Sequence, residues 1–177
     1  GPPFATSLTE VEMGLFHVSV RTANGQPFDG ALERVWQYCQ EGFSYVRQKY
    51  HFELVAFVLM NNHYHLILSI EPKLLKKFTI LFNLNLNLRI SPEENLFQQT
   101  YHQQRICSFS FFGNCYRYVY QNPVRAQLCQ RAELYRFSTL FPLVEHIPFC
   151  IPIHDRFGFK DPYNLGWLNS PQIEFRV

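Results

Sequence analysis

The sequence predicts an α+β fold in which helices pack on one or both faces of an antiparallel sheet. Three observations lead there: runs that alternate apolar and polar residues, long segments with apolar residues three and four apart, and a tight connection at Asn61-Asn62 between two strand-like runs. With 177 residues, 47% of them hydrophobic, the chain is long enough for one well-buried domain and short for two.

The elements follow in order. Gly14 to Arg21 sets Leu15, His17 and Ser19 against Phe16, Val18 and Val20, which predicts a strand with one buried face. Gly25 to Gly30 reads as a turn. From Ala31 to Tyr50, the residues Leu32, Val35, Trp36, Cys39, Phe43 and Val46 form a helical stripe. Phe52 to Met60 and Tyr64 to Ile70 make a strand pair, and a helix follows from Pro72, a residue suited to a first turn. Phe82, Leu84, Leu86 and Leu88 then alternate with Asn83, Asn85 and Asn87, a strand period, whereas Leu74, Leu75, Phe78 and Leu81 just upstream are spaced for a helix. Ser91-Pro92-Glu93-Glu94 predicts a break, with either a capped restart or an exposed loop. The run from Phe109 to Asn114 opens a helix capped by Ser108 or Ser110.

Two places carry chemistry. His63 and His65 lie one residue apart in an apolar run, so in a strand they project from one face with Tyr64 opposite. At about 7 Å apart along the backbone, two imidazoles can converge on one divalent cation or one phosphate. A pair of hydrogen-bonded core histidines is the competing reading. In Tyr116-Arg117-Tyr118-Val119-Tyr120-Gln121-Asn122-Pro123-Val124-Arg125-Ala126, Tyr118 and Asn122 are four apart and share a helix face. An amide oxygen suits Mg²⁺ or Mn²⁺ as a third ligand, and a phenol one turn away can act as a nucleophile toward a phosphodiester.

Met60-Asn61-Asn62-His63-Tyr64-His65-Leu66 paired with Tyr118-Val119-Tyr120-Gln121-Asn122-Pro123-Val124-Arg125-Ala126 resembles the REP-associated tyrosine transposases, single-tyrosine members of the HUH endonuclease superfamily related to the IS200-like transposases. Phe16-His17-Val18-Ser19-Val20-Arg21, Asn95-Leu96-Phe97-Gln98 with Tyr101-His102, and Arg136-Phe137-Ser138-Thr139 resemble further family segments in the same order. The resemblance covers residues 14 to 143 and implies a ferredoxin-like, RRM-like core with a helix over 82 to 88. It also implies His63, His65 and Asn122 as metal ligands for Mg²⁺ or Mn²⁺, and Tyr118 as the nucleophile. Helix geometry agrees on the tyrosine: Tyr120 is turned about 200° from Tyr118, and Tyr116 is roughly 240° from the direction of Asn122. Two departures stand out. The family commonly has Pro where this chain has Asn61, and Asn122 precedes Pro123, so the helix is expected to kink or restart there with Asn122 as cap.

A net charge of +2 is mild for a nucleic-acid protein, so a DNA surface must come from local clustering. The candidates are Arg21, Lys73, Lys76, Lys77, Arg105, Arg117 and Arg125, for each of which an ordinary solvated charge is the plain alternative. Cys39, Cys107, Cys115, Cys129 and Cys150 are odd in number, widely spaced and without a Cys-x-x-Cys pair, so neither a zinc site nor a full disulfide framework is indicated and buried reduced thiols are expected. No signal peptide or apolar run near 20 residues is evident, so a cytoplasmic protein, nucleoid-associated in a prokaryote, is expected.

Domain boundaries are expected at 1-13 for an N-terminal extension, with Gly1-Pro2 resembling a tag remnant, 14-143 for the transposase-like domain, and 144-177 for a Pro-rich tail. In the tail, Pro148, Pro152, Pro162 and Pro171 exclude long elements. Phe149, Ile151, Phe157, Phe159, Tyr163, Trp167 and Leu168 are too apolar for a disordered segment, so the tail should wrap over the domain or a partner.

The activity implied is metal-dependent cleavage and strand transfer of single-stranded DNA at hairpin-forming repeats, through a 5′-phosphotyrosine intermediate. Partners would be single-stranded or hairpin DNA, with the protein a monomer or homodimer. Two alternatives remain open at this point: a domesticated binder of structured DNA that no longer cuts, and a metal-dependent phosphodiester hydrolase in which Tyr118 is merely packed.

Overall fold

Alternation and β-branched or aromatic content form three strands, β1 (Gly14–Arg21), β2 (Phe52–Leu59) and β3 (His63–Ile70), and a short polar strand, β4 (His102–Arg105), completes one antiparallel sheet by pairing with β1, in the order β2-β3-β1-β4. The computed structural model of the chain describes residues 12–158 and 164–171; the Gly1-Pro2 remnant and tail residues Phe159, Pro162 and Tyr163 lie outside the described residues. In register, Ser19 stands opposite His65 on one side and His102 on the other, and Arg21 stands opposite His63. Paired residues share a face, so strand register alone gathers these side chains.

Helices α1 (Leu32–Arg47) and α2 (Leu75–Ile90) cover one face of the sheet, burying Val35, Cys39, Phe43, Phe78 and Phe82 against Phe16, Val18, Val20, Phe57, Tyr64 and Leu66. Gly42 lets α1 approach closely: a Cβ there would sit 3.2 Å from the Phe82 ring. The alternating leucine and asparagine segment is helical, as expected. Its asparagines are structural, with Tyr64 Oη donating to Asn83 Oδ1 at 2.6 Å and Asn87 bonding the backbone of Ser91, Glu94 and Leu96. Those bonds also shape Ser91 to Glu94 as an exposed loop, without a restarted helix.

Helix α3 (Phe109–Tyr120) lies on the other face over β2 and β3, its N-terminus capped by Ser108 Oγ accepting from Phe111 N at 3.1 Å. Phe112, Cys115, Tyr116, Val119 and Tyr120 form its buried stripe. The apolar side of β1 is buried as expected; on its polar side His17 is also fully buried, while Leu15 and Ser19 are half-buried and Arg21 is exposed. At Asn122-Pro123 the helix breaks and restarts as α4 (Asn122–Arg125); Gln121, not Asn122, takes the capping position.

Both flanks of β2 beyond the sheet are covered. Residues 137–139 pair with its end, Leu59 N donating to Phe137 O at 2.8 Å and Thr139 N to Phe57 O at 2.9 Å. From the tail, His154 N donates to Leu54 O at 2.8 Å, Ile151 is buried in the α1/α2 core, and Leu168 in short helix α6 (Leu165–Leu168) is buried beneath α3. Between these lies α5 (Leu140–Glu145). These bonds occupy Leu54 O and the backbone of Phe57 and Leu59 along the outer edge of β2, which leaves that edge less open to pairing with another chain. Cys107 and Cys150 are exposed, which corrects the expectation of uniformly buried thiols; all five cysteines are free. Among the described residues no helix is long and apolar enough to cross a membrane.

Candidate active site

Because α3 packs mainly over β2 and β3, the adjoining part of that face, from the start of β3 across the ends of β1 and β4, stays open as a cleft of about 580 Å³. Strand β3 contributes His63 and His65, β1 contributes Ser19 and Arg21, and the chain from Gln98 to His102 forms the far wall. Tyr118 reaches it from α3, and Asn122 and Arg125 from α4. Two arginines and no carboxylate line the cleft, so it favours an anion.

Hydrogen bonds fix the two histidines. Asn62 Oδ1, an acceptor only, lies 2.7 Å from His63 Nδ1, which assigns a proton to that nitrogen, and the His63 side chain also hydrogen-bonds Asn122. Asn122 Nδ2 donates to His65 Nε2 at 2.8 Å, which places the His65 proton on Nδ1, facing His17 Nε2 at 3.0 Å. Asn61 and Asn62 also anchor the neighbouring loop: Phe28 N donates to Asn61 O at 2.8 Å, and Asn62 Nδ2 to Gly25 O at 3.1 Å. The departure from proline at Asn61 thus leaves the turn held by backbone bonds.

Burial keeps these imidazoles neutral. It pushes His63 down to about 4, with the Arg21 charge adding to the effect, and pushes His17 down to about 3, with His102 adding. His65 falls well below the usual imidazole range through burial first, then its His17 and His63 neighbours. The four rings His63, His65, His17 and His102 form a row with successive centroids 5.3, 5.2 and 5.2 Å apart. Among the described residues, no three or more His, Cys, Asp or Glu side chains gather around one point as a metal centre. The donor set available is therefore His63, His65 and the Asn122 amide. It fits a divalent cation: each ring can offer an Nε2 lone pair while its Nδ1–H is held by an acceptor, and a half-turn of the Asn122 amide brings Oδ1 to where Nδ2 now meets His65.

The three tyrosines of α3 have different surroundings. Tyr116 and Tyr120 are fully buried, which raises both hydroxyls, and Tyr120 shares a hydrogen bond with Thr139 Oγ1 at 2.7 Å. Tyr118 is half-buried in the cleft, its ring edge-on to His65 at 5.7 Å between centroids. The Arg125 guanidinium lies 4.0 Å above the Tyr118 ring and donates to Tyr118 O at 2.7 Å, which ties α4 to the end of α3.

Of the basic residues singled out in the sequence, only Arg21 and Arg125 line the cleft. Lys73, Lys76 and Lys77 sit at the start of α2, beyond the opposite end of β3 and on the other face; Lys73 pairs with Glu71 at 2.9 Å. Arg105 lies over the Phe16 ring and pairs with Glu12 at 3.4 Å. Arg117 is engaged in packing: it donates to Asn114 Oδ1 and Ser170 Oγ, both at 2.8 Å, and covers Trp167. Sequence reading passed over His17 and His102 as site residues and did not predict β4. The one usable signal was that His17 and Ser19 share the polar side of β1, which becomes informative once β1 is known to pair with β3.

No protein-family model matches the chain, and no curated protein matches it. The fold is similar to that of a solved REP-associated tyrosine transposase bound to a REP hairpin, with a TM-score of 0.67 over 93% of this chain and 96% of that one, at 16% sequence identity. At that identity the likeness establishes the shared α+β architecture.

Proposed function

We propose that the protein binds hairpin DNA and, in an adjoining single-stranded flank, cleaves and rejoins the backbone through Tyr118. The observation that carries this reading is the placement of Tyr118: alone of the three tyrosines on its helix it enters the arginine-lined cleft, beside His65 and one turn from Asn122. The fold likeness to a transposase bound to a REP hairpin supports a hairpin as the class of ligand. Residues 14–143 carry this activity in our reading, and the tail braces α3.

Tyr118 Oη gives up its phenolic proton to solvent, attacks the phosphorus in line with the departing O3′, forms the new phosphate ester and leaves the DNA 5′ end joined to the protein. The O3′ atom departs with the P–O electron pair and takes up a proton, giving a free 3′-hydroxyl; attack by a second 3′-hydroxyl reverses the step and releases the tyrosine. Arg21 and Arg125 hold non-bridging phosphate oxygens. His63, His65 and Asn122 would hold Mg²⁺ or Mn²⁺, which polarises the phosphate and neutralises its charge. These three ligands are uncharged, so the cation's charge is left for the phosphate to balance.

Labelled hairpin with a single-stranded flank, the same sequence as a plain single strand, and a full duplex are incubated with Mg²⁺ or Mn²⁺ and resolved on a denaturing gel. The reading expects cutting in the flank and none in the duplex, because a stacked duplex resists the backbone geometry that in-line attack requires. Free 5′ ends without a protein-linked species identify a hydrolase instead. Binding without any product identifies a non-cutting binder.

A further inference from the structure

Helix α2 is apolar on two opposite sides. Leu75, Phe78, Phe82 and Leu86 face the core, while Ile80, Leu84 and Leu88 point the other way and are 54%, 49% and 60% exposed. At about 100° per residue these three lie along one line, i, i+4 and i+8, roughly 180° from the buried stripe. Single exposed aliphatics are ordinary; three in register on one helix form a seam. The charges at its ends differ in sign. Lys73, paired with Glu71, and Lys76 and Lys77 are exposed at the N-terminal end; Glu93 and Glu94 are exposed just past the C-terminal end, where the exposed Arg89 is paired with Glu41 of α1.

We infer that α2 is a self-association surface, and that two copies of this chain pair antiparallel about a two-fold axis through Leu84. A two-fold interface must be self-complementary. With Leu84 on the axis, Ile80 meets the partner's Leu88 and the lysine end of each helix meets the glutamate end of the other. A parallel pairing would set lysine on lysine and glutamate on glutamate. One helix face buries well under the ~800 Å² per partner of a standard interface, so the dimer is weak and reversible.

The geometry has a consequence for the cleft. Since α2 covers the sheet face opposite His63 and His65, the two clefts of the dimer face outward, away from each other. Each Tyr118 then serves the histidines of its own chain, and each copy is free to hold its own ligand. The dimer itself does not depend on what the cleft does.

Sedimentation equilibrium of the full chain from about 1 µM to 1 mM tests this at low salt, where charge pairing is least screened. A reversible monomer–dimer equilibrium is expected. Leu84→Glu places two like charges at the axis and should weaken it at least tenfold. Lys76→Glu/Lys77→Glu and Glu93→Lys/Glu94→Lys should each weaken self-association several-fold, and mixing those two proteins should restore dimers. All of these positions are exposed, so each variant should keep a cooperative thermal transition close to the parent's Tm. A protein that stays monomeric throughout overturns the inference, as does a dimer indifferent to Leu84→Glu. Charge-swapped proteins that dimerise as well as the parent, or that fail to pair on mixing, overturn the antiparallel arrangement.

Discussion

On the α1/α2 side of the sheet, Phe16, Val18 and Val20 of β1 and Tyr64, Leu66 and Leu68 of β3 meet aromatic rings, including a Phe43–Phe82 stack at 4.5 Å. On the other side, the same two strands present His17, Ser19 and Arg21, and His63 and His65, with Ile67 further along β3 packed in the core under α3. Alternate positions of two strands thus build a dry core and a polar cleft a few ångströms apart. The rigidity of the first positions the second: side chains packed in one rotamer below hold the strands whose upper faces carry the histidines. What separates them is coverage: the side packed by α1 and α2 is a continuous apolar core, whereas α3 leaves the Ser19–Arg21 end of β1 and His102 of β4 lining an open cleft.

The comparison makes its largest claim about the histidines. His63→Ala with His65→Ala should reduce DNA cleavage to background, as should chelation of the parent, while the cooperative thermal transition persists. Loss of that transition would erase the distinction between the faces and make the imidazoles core. A change on the dry face should do the converse. Phe82→Ala removes a ring packed against Phe43, Phe57, Phe78 and Tyr64 and should cost about 3–5 kcal/mol in denaturant unfolding. Cleavage per folded molecule should be unchanged; a disproportionate loss would show that the core tunes the site as well as supporting it. A smaller effect separates charge from shape at the cleft. Arg125→Lys keeps the cation but loses the planar contact with Tyr118 and the fixed geometry of its hydrogen bond, and should slow cleavage about tenfold with little change in Tm.

Much of the fold was legible because it is periodic. The β2–β3 hairpin and the α1 stripe follow from spacings of two and of three to four, and Ser108 capped α3 as its position implied. In α2 the period misleads: leucines and asparagines alternate because the helix uses opposite faces, and Asn83 and Asn87 satisfy loops and Tyr64. Strand β4 has no apolar pattern to detect, being four residues, His-Gln-Gln-Arg, on an edge. The site was partly legible for the same reasons. Helix phase separates Tyr118 from Tyr116 and Tyr120, and the structure buries the latter two. His17 was not legible, because its contact with His65 spans 48 residues and depends on a strand pairing that local spacing does not encode. Nor does a list of basic residues reveal which of them are engaged: Arg117 looks like a DNA contact in the sequence and holds Ser170 and Trp167 in the fold.

The central claim is that Tyr118 is the one residue on α3 that joins to DNA. The most direct test incubates the hairpin with its single-stranded flank, digests the covalent product and maps the nucleotide-bearing peptide by mass spectrometry, with Tyr118→Phe as control. The account predicts a nucleotide on Tyr118 in the parent, and in Tyr118→Phe no adduct, retained hairpin binding and an unchanged Tm, since only an oxygen is removed. An adduct on Tyr116 or Tyr120, or cleavage that persists in Tyr118→Phe, would contradict it.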